Sequence, residues 1–227
     1  MIRTMRLASR PLAVAACVVA MAASAASAEI IGGIEFPQGI AAFADEVVAY
    51  TPGAGIDAPD VRWQNPADAL GTPNYTPPLP GATEHNIGQF VSLGNGGSLT
   101  LKFTDNFLSG CGTSCYDLWI FEVGPVVESM SVEISKDGAT WYSVGSVGGA
   151  TAGVDIDAYG FSHSDHFYYV RLTDDPNQWP QSDHYGKWSG ADIDAVAVIH
   201  APEPATMLMT LLGVPYLAMR WRRNRRA

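Results

Sequence analysis

Short runs in which every second residue is apolar dominate the middle of the chain. In residues 98–103, Leu99, Leu101 and Phe103 share one face; in 130–135, Met130, Val132 and Ile134 alternate with Ser131, Glu133 and Ser135. Residues 91–93, 117–123, 141–144, 166–172 and 193–200 read as further strands. Gly94-Asn95-Gly96-Gly97 and Asp137-Gly138 supply the residues that left-handed hairpin turns need. In 193–200, Ile193, Ala195, Ala197 and Ile199 alternate with Asp194, Val196 and Val198, so this strand is expected to be buried on both sides toward its end. Seven or eight such strands and no long amphipathic helix predict an all-β fold, an antiparallel β-sandwich of two packed sheets. No fixed-period repeat occurs, which argues against a solenoid or propeller.

Three stretches break this pattern. Between Thr51 and Pro80 lie seven prolines, and residues 51–90 read as a long ordered loop region that Trp63 and Tyr75 tie to the core. The N-terminus carries Arg3, Arg6 and Arg10, an apolar run over 11–23, and small residues closing on Ala26-Ser27-Ala28, which predicts a signal peptide over 1–28. A lipid-attachment box at Val14-Ala15-Ala16-Cys17 is the less favoured reading, because only six residues separate Arg10 from Cys17. Near the C-terminus, 205–219 is an apolar stretch of 15 residues, about 22 Å as a helix against a hydrocarbon core of about 30 Å. Five arginines follow within 220–226 and would stay cytoplasmic, so a short transmembrane helix, kinked at Pro215 and only transiently anchored in the inner membrane, is expected. The β-sandwich domain is thereby assigned to 29–202 and the tail to 203–227.

Charge sharpens this division. Of 227 residues, the 174 between the two ends hold 22 of the 23 glycines and 5 Lys+Arg against 22 Asp+Glu, a net charge of −17. Such a surface disfavours nucleic acid and favours cations.

The carboxylates carry the clearest chemistry. Asp105 follows one strand and Asp117 opens the next; Glu122, five positions on, should face away from Asp117 on a regular strand. Asp155 and Asp157 flank Ile156, and Asp192 and Asp194 flank Ile193, spacings that put each pair on one face. Carboxylates gathered at a sandwich rim repel unless a hard cation neutralises them, and calcium takes six to eight oxygens from irregular loops. A structural Ca2+ held by Asp105, Asp117, Asp155, Asp157 and Asp192 is therefore expected, weighed against solvated acidic turns, since no EF-hand run occurs. Cys111 and Cys115, the cysteines left after signal cleavage, can close a small disulfide loop; their spacing matches neither a redox pair nor a diagnostic zinc site. His163, His166 and His184 lie near serines and aspartates, but no G-x-S-x-G accompanies them, so a surface hydrolase or a zinc site is a minor alternative. Trp179, Tyr185 and Trp188, with Asp183 and Lys187, can stack on and orient sugar rings, or can cover one end of the core. Neither a P-loop nor a dinucleotide fingerprint is present.

Pro202-Glu203-Pro204, followed by the apolar stretch and the arginine cluster, resembles the PEP-CTERM sorting signal of matrix-forming Gram-negative bacteria. That resemblance implies an exosortase as processing partner, with release or attachment at the cell surface. Gly71-Thr72-Pro73-Asn74-Tyr75, Val91-Ser92-Leu93-Gly94, Asp117-Leu118-Trp119-Ile120-Phe121-Glu122 and Ala191-Asp192-Ile193-Asp194-Ala195 are similar to segments of secreted jelly-roll domains of the discoidin-like, galactose-binding-like kind. Asn74, where Asp is usual, and the Cys111–Cys115 insertion depart from that pattern. This likeness implies fold and location, not chemistry. The expected function is an exported, non-enzymatic cell-surface or extracellular-matrix protein with a calcium-stabilised binding module; the alternatives are a carbohydrate-binding module using the Trp179/Trp188 region and a surface hydrolase. Polysaccharide or matrix proteins are the expected partners.

Overall fold

The computed structural model describes residues 28–54, 58–80, 87–123, 128–177 and 189–200. Within them the chain forms β1 (Glu29–Ile31), β2 (Ile34–Phe36), β3 (Glu46–Thr51), β4 (Val91–Ser92), β5 (Ser98–Lys102), β6 (Leu118–Glu122), β7 (Ser129–Ser135), β8 (Trp141–Gly148), β9 (Thr151–Val154), β10 (Tyr169–Asp174) and β11 (Asp192–Val198). A five-stranded sheet runs β3-β5-β10-β7-β8 and a four-stranded sheet runs β4-β11-β6-β9, every pairing antiparallel. The protein is thus an antiparallel β-sandwich. Strands β1, β2, β3 and β9 carry weak or short alternation, and only pairing with longer neighbours makes them strands.

Alternation builds the space between the sheets. Leu99 and Leu101 of β5, Val132 and Ile134 of β7, and Val170 and Leu172 of β10 meet Leu118 and Ile120 of β6 and Val196 and Val198 of β11, all buried in one core. The opposite face of the five-stranded sheet is polar: Arg171 pairs with Glu133 at 2.6 Å and lies over the Trp141 ring at 4.2 Å. The four-stranded sheet is covered on both faces. Phe121, Ala195 and Ala197 pack outward against Phe36 and Phe43, which the β1–β2 hairpin and the 3-10 turn Gly39–Ala42 bring over the sheet. Such double burial explains why β6 and β11 lack a clean polar face.

A bulge corrects the expected facing of β11. The register with β6 shifts between Ile193 and Ala195, so Ile193 joins Val196 and Val198 in the main core while Ala195 and Ala197 turn to the outer cluster. Strict alternation cannot foresee that change of phase.

The proline-rich region is held by rings. Trp63, fully buried, stacks on Phe90 at 5.1 Å with an interplanar angle of 3°, and Tyr75 meets Phe90 edge-on at 5.9 Å. Both amides of Asn74 and Tyr75 donate to the Asp194 carboxylate, at 3.0 and 3.1 Å.

The expected transmembrane helix is corrected. Among the described residues no helix is long and apolar enough to cross a membrane; those present are 3-10 turns of three or four residues. The stretch 205–219 lies outside the described residues, as do the signal segment 1–27 and the motif Pro202-Glu203-Pro204. At about 1.5 Å per residue, 15 residues fall short of a bilayer core of about 30 Å.

Three segments cross tightly where β4 leads to β5 and β11 begins. Gly53 donates to Leu93 O at 2.7 Å, Gly94 donates to Ser189 O at 2.6 Å, and Leu93 donates to Ala191 O at 2.9 Å. Gly190 stands at φ +72°, and a Cβ there would come within 2.6 Å of Gly94 O. Gly190→Ala therefore combines left-handed strain with a backbone clash and is expected to lower stability by about 1–3 kcal/mol or more, read as a drop in melting temperature.

Candidate functional site

Asp117 immediately precedes β6 and is fully buried. Its carboxylate accepts the Cys111 amide at 3.0 Å and the Ile156 amide at 3.0 Å, so one side chain joins the Cys111–Cys115 loop to the turn after β9. The two cysteines are disulfide-bonded with Cα atoms 6.4 Å apart. The 3-10 turn Asp157–Tyr159 follows β9; Asp157 N donates to Asp155 Oδ1 at 2.9 Å, and Gly112 N donates to Asp157 Oδ2 at 3.0 Å. Gly110 lets the chain pass so closely that a Cβ would lie 2.8 Å from Asp157 Oδ1.

Asp117, Asp155 and Asp157 each bring a carboxylate oxygen within 4.8 Å of the other two. Burial raises the pKa of Asp117 to about 7; the Ile156 amide opposes the rise and the charges of Asp157 and Asp155 add to it. A buried carboxylate and two half-buried ones form an anionic oxygen donor set of the kind a hard divalent cation takes. Cys111 and Cys115 also lie close to Asp117, but a disulfide leaves no thiolate to bind zinc.

Tertiary structure divides the other expected ligands. Asp105 is exposed in the turn after β5, beside Asp45, and burial followed by that neighbouring charge raises its pKa. Asp192 starts β11 at the opposite end of the sandwich, where it accepts a short hydrogen bond from the Ser92 hydroxyl; burial drives its pKa well up. Neither Asp105 nor Asp192 joins the Asp117 group, so of the five expected ligands only Asp117, Asp155 and Asp157 lie together. The i, i+2 spacing held for Asp155 and Asp157, whereas Asp192 and Asp194 diverge to Ser92 and to the amides of Asn74 and Tyr75.

Ser162 and Ser164 bond each other at 2.9 Å, and Ser162 also bonds Asp165, whose carboxylate pairs with Lys136 at 2.7 Å. His163 is exposed, and His166 stacks on Phe107 at 4.1 Å. These groups close a loop; they do not line up a nucleophile, a base and an orienting acid. His184, Trp179, Tyr185 and Trp188 lie outside the described residues, in the connection between β10 and β11.

The sequence places Asp174 at the end of a strand without giving it a role. Buried at the end of β10, it accepts the Ala191 amide at 2.9 Å and the Gly96 amide at 3.1 Å, clasping the glycine crossing described above. The available signal was alternation, since Val170, Leu172 and Asp174 share one face of β10.

Asp117→Ala leaves the Cys111 and Ile156 amides without their acceptor. It is expected to cost roughly 2–5 kcal/mol in thermal or denaturant unfolding. Asp155→Ala, measured without calcium, removes the acceptor of the Asp157 amide together with a charge beside Asp117, and should change stability by about 1 kcal/mol or less.

No protein-family model matches the chain, and no curated protein matches it. Solved structures similar to it include the C-terminal domain of a chitobiase from Bacteroides fragilis, at 17% identity and a TM-score of 0.30 over 46% of this chain and 63% of that one. The CBM32 of AlyQ in complex with 4,5-unsaturated mannuronic acid matches at 15% identity and a TM-score of 0.38, over 70% of this chain and 98% of that one. A module from Clostridium perfringens, CpGH89CBM32-6, matches at 12% identity and a TM-score of 0.33, over 69% of this chain and 91% of that one. The sandwich assignment itself rests on the strand pairing.

Proposed function

We propose that the chain is an exported, non-enzymatic binding module of the cell surface or extracellular matrix, whose rim at Asp117, Asp155 and Asp157 takes a calcium ion. The observation that carries this reading is the convergence of three carboxylates from two loops, one of them fully buried, within 4.8 Å. A calcium ion would relieve their mutual repulsion and fix the disulfide loop against the turn after β9, stiffening one end of the sandwich. Export fits the residues at the two termini: a cleavable leader, and the Pro202-Glu203-Pro204 tail as the substrate of an exosortase. The non-enzymatic reading is supported, within the described residues, by His166 stacking on Phe107 and Asp165 pairing with Lys136.

A second reading places polysaccharide recognition on Trp179, Tyr185 and Trp188. Its support is the concentration of three large rings in one connection of the sandwich, with Asp183 and Lys187 as orienting groups.

Calcium should raise the melting temperature of the purified full-length protein and a chelator should lower it, by mass action on the folded state. Asp155→Asn with Asp157→Asn should abolish the response; an unchanged midpoint in a sample shown by elemental analysis to be metal-free at the start would refute the site. For the second reading, retention on an immobilised polysaccharide should be lost on Trp179→Ala or Trp188→Ala. Retention equal to that of the wild type would remove the aromatic connection from consideration.

A further inference from the structure

The end of the sandwich opposite Asp117 holds a second set of acids. Glu122 closes β6, Glu128 precedes β7, Asp174 closes β10 and Asp192 opens β11, and all four are buried. Alternation along β6 puts Glu122 on the face of Leu118 and Ile120, into the space between the sheets.

Their partners set Glu122 apart. Asp174 accepts two backbone amides and Asp192 accepts the Ser92 hydroxyl. Glu122 is 1% exposed, and neither Oε1 nor Oε2 has a well-formed hydrogen bond; the Asp192 amide is a nearby donor that opposes the rise in its pKa, and it does so less than burial and Glu128 raise it. Its carboxyl interacts with those of Glu128 and Asp192, Glu128 in turn with Asp174, and Tyr50 of β3 with Asp192. The basic side chains among the described residues are engaged elsewhere: Arg62 with Asp60, Lys102 with Glu46, Lys136 with Asp165 and Arg171 with Glu133.

An ionised carboxylate buried with no donor is prohibitively costly, whereas a carboxylic acid carries its own donor and needs only one acceptor. Glu128 offers that acceptor. A divalent ion is the rival occupant, and it requires several oxygens at once. Among the described residues no three carboxylates at this end bring oxygens within 4.8 Å of one another, in contrast to the Asp117 end. A proton bridges two oxygens and asks for no third.

We infer that Glu122 stands protonated in the folded protein at neutral pH and donates that proton to Glu128, so that one shared proton closes this end of the sandwich. The inference is independent of the calcium reading. Burial first, then the charge of Glu128, raises the Glu122 pKa, and burial likewise raises that of Glu128. Because the folded values lie above the ordinary glutamate value of 4.5, the pair's contribution is complete below that pH. It is lost as pH rises through the raised folded values, when the pair gives its proton to water and two like charges are left side by side. The link between the end of β6 and the start of β7 is then lost.

The test uses Glu122→Gln, which keeps the shape and a donor but cannot ionise. Between about pH 5 and pH 9 the melting temperature of the wild-type full-length protein should fall more steeply than that of E122Q, with E122Q the more stable at the alkaline limit. The difference should persist with calcium or with a chelator. Infrared difference spectra of the folded proteins at neutral pH should show a protonated-carboxyl band in the wild type that E122Q lacks, a readout that does not depend on stability. Absence of that band would overturn the inference, as would an E122Q protein less stable than the wild type at every pH. The second result would mean an ionised Glu122 paired with a cation, whether a metal or Lys187, which lies outside the described residues.

Discussion

Asp117, Asp174 and Asp194 each receive two main-chain N–H groups from connections that leave the sheets, and both ends of the sandwich are held in register by those pairs. The reason lies in the charge balance. With so few lysines and arginines in the body, buried acids cannot be neutralised chiefly by ion pairs, and backbone amides are the donors left over wherever a strand ends. Each aspartate thereby converts an irregular loop into an ordered one. Asp137 does the same at the β7–β8 turn, accepting the amides of Ala139 and Thr140 at 2.8 and 2.7 Å; those bonds hold its carboxyl down at about 2.

The two ends of the sandwich depart from this rule in opposite ways. At the Asp117 end three carboxylates, each accepting at least one amide, lie together, and two of them, Asp155 and Asp157, are only half-buried. At the Glu122 end the surplus carboxyl is sealed between the sheets, where entry of a hydrated ion is costly and a proton is the cheapest neutraliser. On the readings proposed above, an ion would meet the half-buried pair at one end and a proton the sealed carboxyl at the other.

Glycine makes the amide clasps possible. At Gly94 and Gly190 the chain adopts φ values of +75° and +72° and passes main chain against main chain, so that a Cβ at Gly94 would meet Gly53 and one at Gly190 would meet Gly94.

Much of the sandwich was legible in the sequence because a strand with one face in the core must alternate, and β5, β7 and β10 do so plainly. Trp63 and Tyr75 likewise advertised that the proline-rich region is packed rather than loose. The short strands β1, β2 and β9 left no such trace, and the bulge in β11 reversed the facing that alternation predicted. Among the acids, local spacing identified Asp155 and Asp157 as neighbours, since residues two apart share a side. It could not decide that Asp117 joins them, that Asp105 and Asp192 do not, or that Glu122 meets Glu128. Composition and short-range pattern determined the class of fold and its shortage of positive charge. Which carboxylates meet was decided by strand order and register, because the partners are brought together by hydrogen bonds between segments far apart in the chain, and that information resides in no single stretch of sequence.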